Sequence, residues 1–348
     1  MPFYPSATLT AMISPRGNFL EQTVSLSRSD GLVSLADVLW VSPALAQEIR
    51  YPEETHLLKI AAILQRYPQA VIAGISALIL RGIPVPSVPE EVDVFLGDRR
   101  GGSVPKLVRF RSQQACRIAR HVQLVPSSLP QPRLWISATN VVEATLDAIR
   151  WGAMTLRDAV ILIDSAANAL SSKIESFTFA YQAQVEADSR YRRQVIDRAL
   201  VLACAGVQSP METRLRLKLY ERGYPAPFVQ LKIDDRDHSH LGRPDLTYPD
   251  KRVSLEYDGF EKFHEQFGVD AVTAVNKHRR RSDRLASQGM WMIHVDSQGW
   301  TSGEWLTDLN EALRRNVDPF PASQLRNKQI AWPEKFDKHP QWRWKLDR

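Results

Sequence analysis

Residues 243–258 read RPDLTYPDKRVSLEYD and constrain the fold more than any other stretch of the chain. Val253, Leu255 and Tyr257 alternate with Ser254, Glu256 and Asp258, the period-two pattern of a strand with one apolar and one polar face. Between this run and the preceding one, Pro249, Asp250 and Lys251 supply turn chemistry, since proline presets φ and aspartate bonds back to its own backbone. A chain that reverses near residue 250 brings Asp245 opposite Glu256. Cross-strand neighbours lie about 4.5–5.5 Å apart at Cβ, and like charges that close destabilise a sheet. The hairpin therefore calls for a compensating group, and a divalent cation with oxygen ligands is the simplest one.

The flanking sequence predicts a compact α/β unit around this hairpin. SPMETRLRLKLYERG reads as a helix, FVQLKI, RPDLTYP and RVSLEYDG as an antiparallel run of strands, VDAVTAVNKHRRRSDRLASQG as a longer helix, and MWMIHVD as a last strand. Glu212 on the first helix is a fourth carboxylate for the site. Its spacing from Ser209 also fits a capping box with Pro210 at the first helical position, so a bond to the Ser209 amide is an equal reading. The longer helix carries Lys277, His278, Arg279, Arg280, Arg281 and Arg284. Acids on a strand pair beside a basic helix suit phosphodiester hydrolysis. The acids hold Mg²⁺ (or Mn²⁺), which activates a water and offsets charge on the phosphate, while the cations grip the backbone without reading sequence. The expected metal ligands are Asp245, Glu256 and Asp258, with Lys262 or His264 orienting the water. Bland readings stand beside these: Asp258 with Gly259 as strand-end turn chemistry, His264 as a surface histidine, and the basic run as a solvated face.

On SPMETRLR, RPDLTYP, LEYDG with the following His264, and RRSDRLASQGMWMIHV, the segment from about Ser209 to Ser297 resembles the Vsr-like branch of the PD-(D/E)XK nucleases, the very-short-patch-repair type. The resemblance covers about a quarter of the chain. It implies a restriction-endonuclease-like α/β core, an acidic site of Glu212, Asp245 and Glu256, and double-stranded DNA as substrate. The position that is typically Lys in that family is Asp258 here. More faintly, AVIAGISALILRGIPVP, EEVDVFL and ATNVVEATLDAIRWG resemble the AbiEi-type antitoxin and regulator proteins, which implies a mixed α+β domain before the nuclease-like one. In that group a winged helix usually precedes this region; residues 17–55 are too short and too weakly patterned for a complete one.

The expected organisation is a short N-terminal region (1–55, the place of a degenerate winged helix), an AbiEi-like domain (56–175), a helical linker (176–207), the nuclease-like domain (208–300) and a tail with one helix and an aromatic, basic end (301–348). Within 56–175, HLLKIAAILQRYP, ISALILRGIPVP, ATNVVEATLDAIRWG and TLRDAVILIDSAANAL read as helices. EEVDVFLG reads as a strand joined through DRRGG to a pairing strand, VPKLVRFRS, and HVQLVPSS as extended. The tail aromatics Trp332, Phe336, Trp342 and Trp344 either stack on bases or, as favoured here, fold back onto the body.

Composition bounds the function classes. The chain has 348 residues, 44% hydrophobic and 24% charged, ordinary for a soluble globular protein of two or three domains. A formal charge of +6 favours an anionic partner. Cys116 and Cys204 are too few and too separated for a disulfide framework or zinc site, which fits a reducing cytoplasm. The sequence shows no apolar run of the ~18–20 residues needed to span a bilayer. The N-terminus lacks a basic start followed by an apolar stretch, so no secretory signal is expected. The expectation is a cytoplasmic, metal-dependent DNA endonuclease serving repair, host defence or a toxin–antitoxin-like system. Its alternative is a catalytically inactive DNA-binding regulator. A second copy or another protein is the partner expected of the N-terminal half, and no membrane.

Overall fold

The computed structural model describes residues 24–25, 33–36, 39–49, 51–95, 108–110, 119–124, 134–152, 154–171, 173–189, 192–237, 239–258, 280–332 and 346–347. The chain is mixed α/β, with helices and several sheets. It divides into two compact units: Met1–Met154 with Ile161–Leu200, and Thr155–Val160 with Val201–Arg348. Among the described residues, no helix is long and apolar enough to cross a membrane.

In the first unit, β1 (Val24–Ser25), β2 (Val33–Ala36) and β3 (Leu39–Val41) form a small antiparallel sheet in the order β1-β3-β2. A second sheet contains β4 (Val71–Ile72), β5 (Val92–Phe95), β6 (Val108–Phe110), β7 (Ala119–Leu124) and β8 (Leu134–Thr139), in the order β6-β5-β4-β8-β7. Helices Pro52–Arg66, Gly74–Ile79 and Val141–Trp151, together with Leu156–Leu170, whose residues up to Val160 belong to the second unit, fall on the four segments whose periodicity predicts them. Asn140 caps the third by accepting from Glu143 N at 2.9 Å. The β5–β6 pairing departs from the expected hairpin, because the two strands run parallel, Val92 against Val108. The DRRGG turn lies outside the described residues. Strand β8 carried no expectation at all. Gly74 is required where it stands: its φ is +51°, and a Cβ there would lie 2.9 Å from Asp93 Oδ2.

In the second unit, helix Pro210–Arg222 begins at Ser209, whose Oγ accepts from Glu212 N at 3.2 Å, and ends at Gly223 with φ 80°. A five-stranded sheet runs β14 (Trp291–Val295), β13 (Val253–Tyr257), β12 (Leu246–Tyr248), β9 (Phe228–Val229), β16 (Gln329–Ile330). A second sheet runs β11 (His240–Gly242), β10 (Lys232–Asp234), β15 (Leu325–Arg326). The expected antiparallel run β9-β12-β13 is present, and β14 adds to β13 in parallel. FVQLKI is not one strand, however. It breaks at Gln230, whose φ of 49° sends β9 and β10 into different sheets. The sheet also recruits chain beyond residue 300, since β16 pairs with β9. Trp332 follows it, 1% exposed and edge-on to Tyr220 with ring centroids 5.4 Å apart, so this tail aromatic folds onto the body. Phe336, Trp342 and Trp344 lie outside the described residues.

The alternation in β13 predicts one wet face, and the structure buries both. Ser254 and Glu256 are as fully enclosed as Val253 and Leu255. Residues 280–287 form a helix whose Leu285 joins a core of Leu231, Ile233, Leu241, Met290 and Phe320. Gly242 lets that helix settle: a Cβ there would come within 2.8 Å of Leu285 Cδ1 and 3.1 Å of Arg281 Cγ. The close approach brings Arg281 over the polar side of the sheet.

Candidate metal centre

Register builds the site. Leu246, Thr247 and Tyr248 face Leu255, Ser254 and Val253, and continuing that register by one step sets Asp245 opposite Glu256, as the hairpin predicts. On the other side of β13, Glu256 is the partner of His294. Asp245, Glu256 and His294 thus form a row across three neighbouring strands, on the same face as Thr247 and Ser254, whose hydroxyls meet at 3.0 Å. Asp258, two residues beyond Glu256, returns to that face, and its amide donates to Val295 O at 2.9 Å.

Each acid has a distinct set of partners. Asp245 Oδ2 accepts from Tyr257 N at 2.9 Å, and its Oδ1 accepts from Gln230 Nε2 at 3.0 Å. The same amide nitrogen donates to Glu212 Oε2 at 2.9 Å, so Gln230 bridges the two carboxylates. Glu212 Oε2 also accepts from Gln208 N at 2.9 Å. The expected bond from the Ser209 amide is thus replaced by one from Gln208, one residue earlier, while the same carboxylate also meets Gln230. Gln230 keeps its left-handed backbone through Gln230 N donating to Asp245 O at 2.9 Å. A non-glycine residue there costs about 1–3 kcal/mol, the kind of strain that gathers at functional sites. Glu256 Oε1 accepts from Arg281 Nη2 at 2.6 Å.

Glu256, Asp258 and His294 each offer a ligand atom, and those atoms all lie within 4.8 Å of one another. Among the described residues no other group of three acidic, histidine or cysteine side chains does so, and Asp245 is not in it. The side chains grade from floor to lip: 1% exposed at Glu256, 20% at Asp258 and 38% at His294. His294 Nδ1 is 2.8 Å from Asp258 Oδ2. That carboxylate lifts the ring above the usual imidazole range, against the opposing effect of burial. The donor set suits a divalent cation: two carboxylates are what hard ions take from a protein, and the imidazole adds a nitrogen ligand once its proton leaves.

Of the expected site residues, Glu212, Asp245, Glu256 and Asp258 converge on this face. Arg281, expected with its neighbours to grip phosphates, donates to Glu256, while Arg280 and Arg284 are exposed. Lys262, His264, Lys277, His278 and Arg279 lie outside the described residues. Gln230 and His294 carried no expectation. For His294, strand alternation within MWMIHVD gave a face, but only the parallel register supplies its neighbour. No protein-family model matches the chain, and no curated protein matches it.

Proposed function

We propose that the second unit is a metal-dependent DNA endonuclease domain hydrolysing phosphodiesters. The observation that carries this reading is the row of Asp245, Glu256 and His294 across three strands, with Asp258 beside it and an arginine helix overhead. A bound cation such as Mg²⁺ or Mn²⁺ would supply an activated water and offset charge on the phosphate. Glu256 and Asp258 would hold it. Asp245 accepts from Gln230 and the Tyr257 amide, fixing the end of β13 and so the aim of Glu256. Arg280 and Arg284, exposed on the covering helix, would hold backbone phosphates on either side. The resemblance of 209–297 to Vsr-like nucleases supports the same chemistry. Repair, host defence or a toxin–antitoxin-like setting rests on that resemblance and on the fainter AbiEi-like one.

The test is nicking of supercoiled plasmid with Mg²⁺ or Mn²⁺. Wild type should cut, and Asp245→Ala should lose at least about 100-fold, in the range seen when a preorganised electrostatic group is removed from a catalytic site. A specific observation favours one alternative. Arg281 already neutralises Glu256, as expected of a nuclease fold kept as a DNA-binding regulator. DNA binding that weakens with salt, without cutting under any metal, would decide for that second reading.

A further inference from the structure

Resting on the metal-centre reading, we infer that His294 makes the site selective for a divalent transition cation such as Mn²⁺ over Mg²⁺. Three features of the site carry this. The parallel register makes His294 the direct neighbour of Glu256, and Asp258 closes the triangle, so the imidazole belongs to the same cluster as both acids. Metal–ligand bonds of about 2.0–2.2 Å put any two ligands of one ion no more than about 4.4 Å apart. The observed limit of 4.8 Å exceeds that by only a few tenths of an ångström. Finally, the ring is the most open member of the three, at the lip where an ion arrives.

Chemistry then separates the candidate ions. Mg²⁺ keeps most of its waters and is held through one or two carboxylates, a need that Glu256 and Asp258 meet alone. An imidazole adds little for that ion. First-row transition ions accept oxygen and imidazole nitrogen together, and for them a third protein ligand raises affinity. The competing explanation is that His294 only pairs with Asp258 as a surface ion pair. That pair would support the strand end equally whichever ion is present.

Full-length protein stripped with chelator is titrated calorimetrically with MnCl₂ and, separately, MgCl₂, for wild type, His294→Asn and Asp258→Asn. Wild type should bind Mn²⁺ at least about 10-fold more tightly than Mg²⁺. His294→Asn should weaken Mn²⁺ by about 10–100-fold, the range typical of disturbing a metal site, while moving Mg²⁺ by less than about threefold. Asp258→Asn should weaken both ions. Bound Mn²⁺ should show nitrogen modulation in its pulsed electron-spin-resonance signal, absent in His294→Asn. Equal weakening of both ions by His294→Asn, or a wild type without Mn²⁺ preference, overturns the inference and leaves the nuclease reading standing. A wild type that binds neither ion overturns both.

Discussion

The two units differ in how they group buried charged and polar side chains beside their five-stranded sheets. In the first unit, beside the buried acids Asp93, Asp147 and Asp164, one set of enclosed donors ends largely on the backbone. His56 Nδ1 donates to Pro89 O at 3.0 Å, Lys59 Nζ to Glu90 O at 2.9 Å, and Arg81 to the carbonyls of Ala77 and Thr139. His56 Nε2 lies 2.9 Å from Ser76 Oγ, which accepts from Asp93 N at 2.9 Å. The second unit also has a buried donor on the backbone, Arg216 on the carbonyls of Leu202 and Ala331, but in addition it places acceptors beside each other: Glu212 and Asp245 on one amide, Asp245 and Glu256 across a strand pair. Donors tied to carbonyls hold a fold together. Carboxylates set side by side repel, and keeping them there makes sense where a cation is to be held.

The sharpest way to break that comparison is to take away the internal cation. Arg281→Ala leaves Glu256, 1% exposed, without its guanidinium. Removing one partner of a buried pair costs about 3–5 kcal/mol, and the one-third exposure of Arg281 places the loss near the lower figure. If the acids form a metal centre, adding Mn²⁺ should restore most of the lost melting temperature in Arg281→Ala and raise wild type less. A variant whose deficit is the same with and without Mn²⁺ would show that Arg281 is purely structural and that Glu256 receives no other cation.

A smaller effect is expected from the first unit. Ser76→Ala removes the hydroxyl serving both His56 Nε2 and Asp93 N, and losing the partner of a buried polar group costs about 1–3 kcal/mol. The loss should show in the chemical-denaturation midpoint, unchanged by divalent ions, with plasmid nicking intact. A cation-dependent rescue here would erase the distinction between the units.

What the sequence disclosed follows the range of the interactions involved. Helix Pro210–Arg222 and the Asp245–Glu256 pairing were legible because a cap and a short turn are local, and a turn near residue 250 fixes an antiparallel register. His294 was not legible, since its partner is set by a parallel pairing across more than thirty residues of intervening chain. Gln230 was hidden differently: FVQLKI alternates well enough to pass for one strand, and nothing local announces a left-handed residue in it. Cover of part of the polar face of β13 by the following helix was legible, but not its completeness, which depends on the close approach at Gly242 and Leu285. The parallel β5–β6 pair escaped because strand direction does not register in alternation.

The smallest effect concerns an acid of the second unit outside the cluster. Asp234 bonds Arg326 Nε, and its Oδ1 lies 3.5 Å from His240 Nδ1. The Arg326 bond holds its carboxyl below the ordinary value of 3.8, against desolvation and with help from His240. A depressed folded-state pKa contributes stability that is fully present above 3.8 and fades as the pH falls through the lower folded value. Arg326 is 51% exposed, so solvent screens the pair and the contribution is small. Wild type should therefore be slightly more stable than Arg326→Ala at neutral pH, and the gap should close in strongly acid solution. The urea midpoints of the two proteins, compared at neutral pH and well below 3.8, measure this. A gap that persists in acid would mean that Arg326 acts through packing on β10 and β15, and that Asp234, unlike the acids facing each other on β12 and β13, is electrostatically idle.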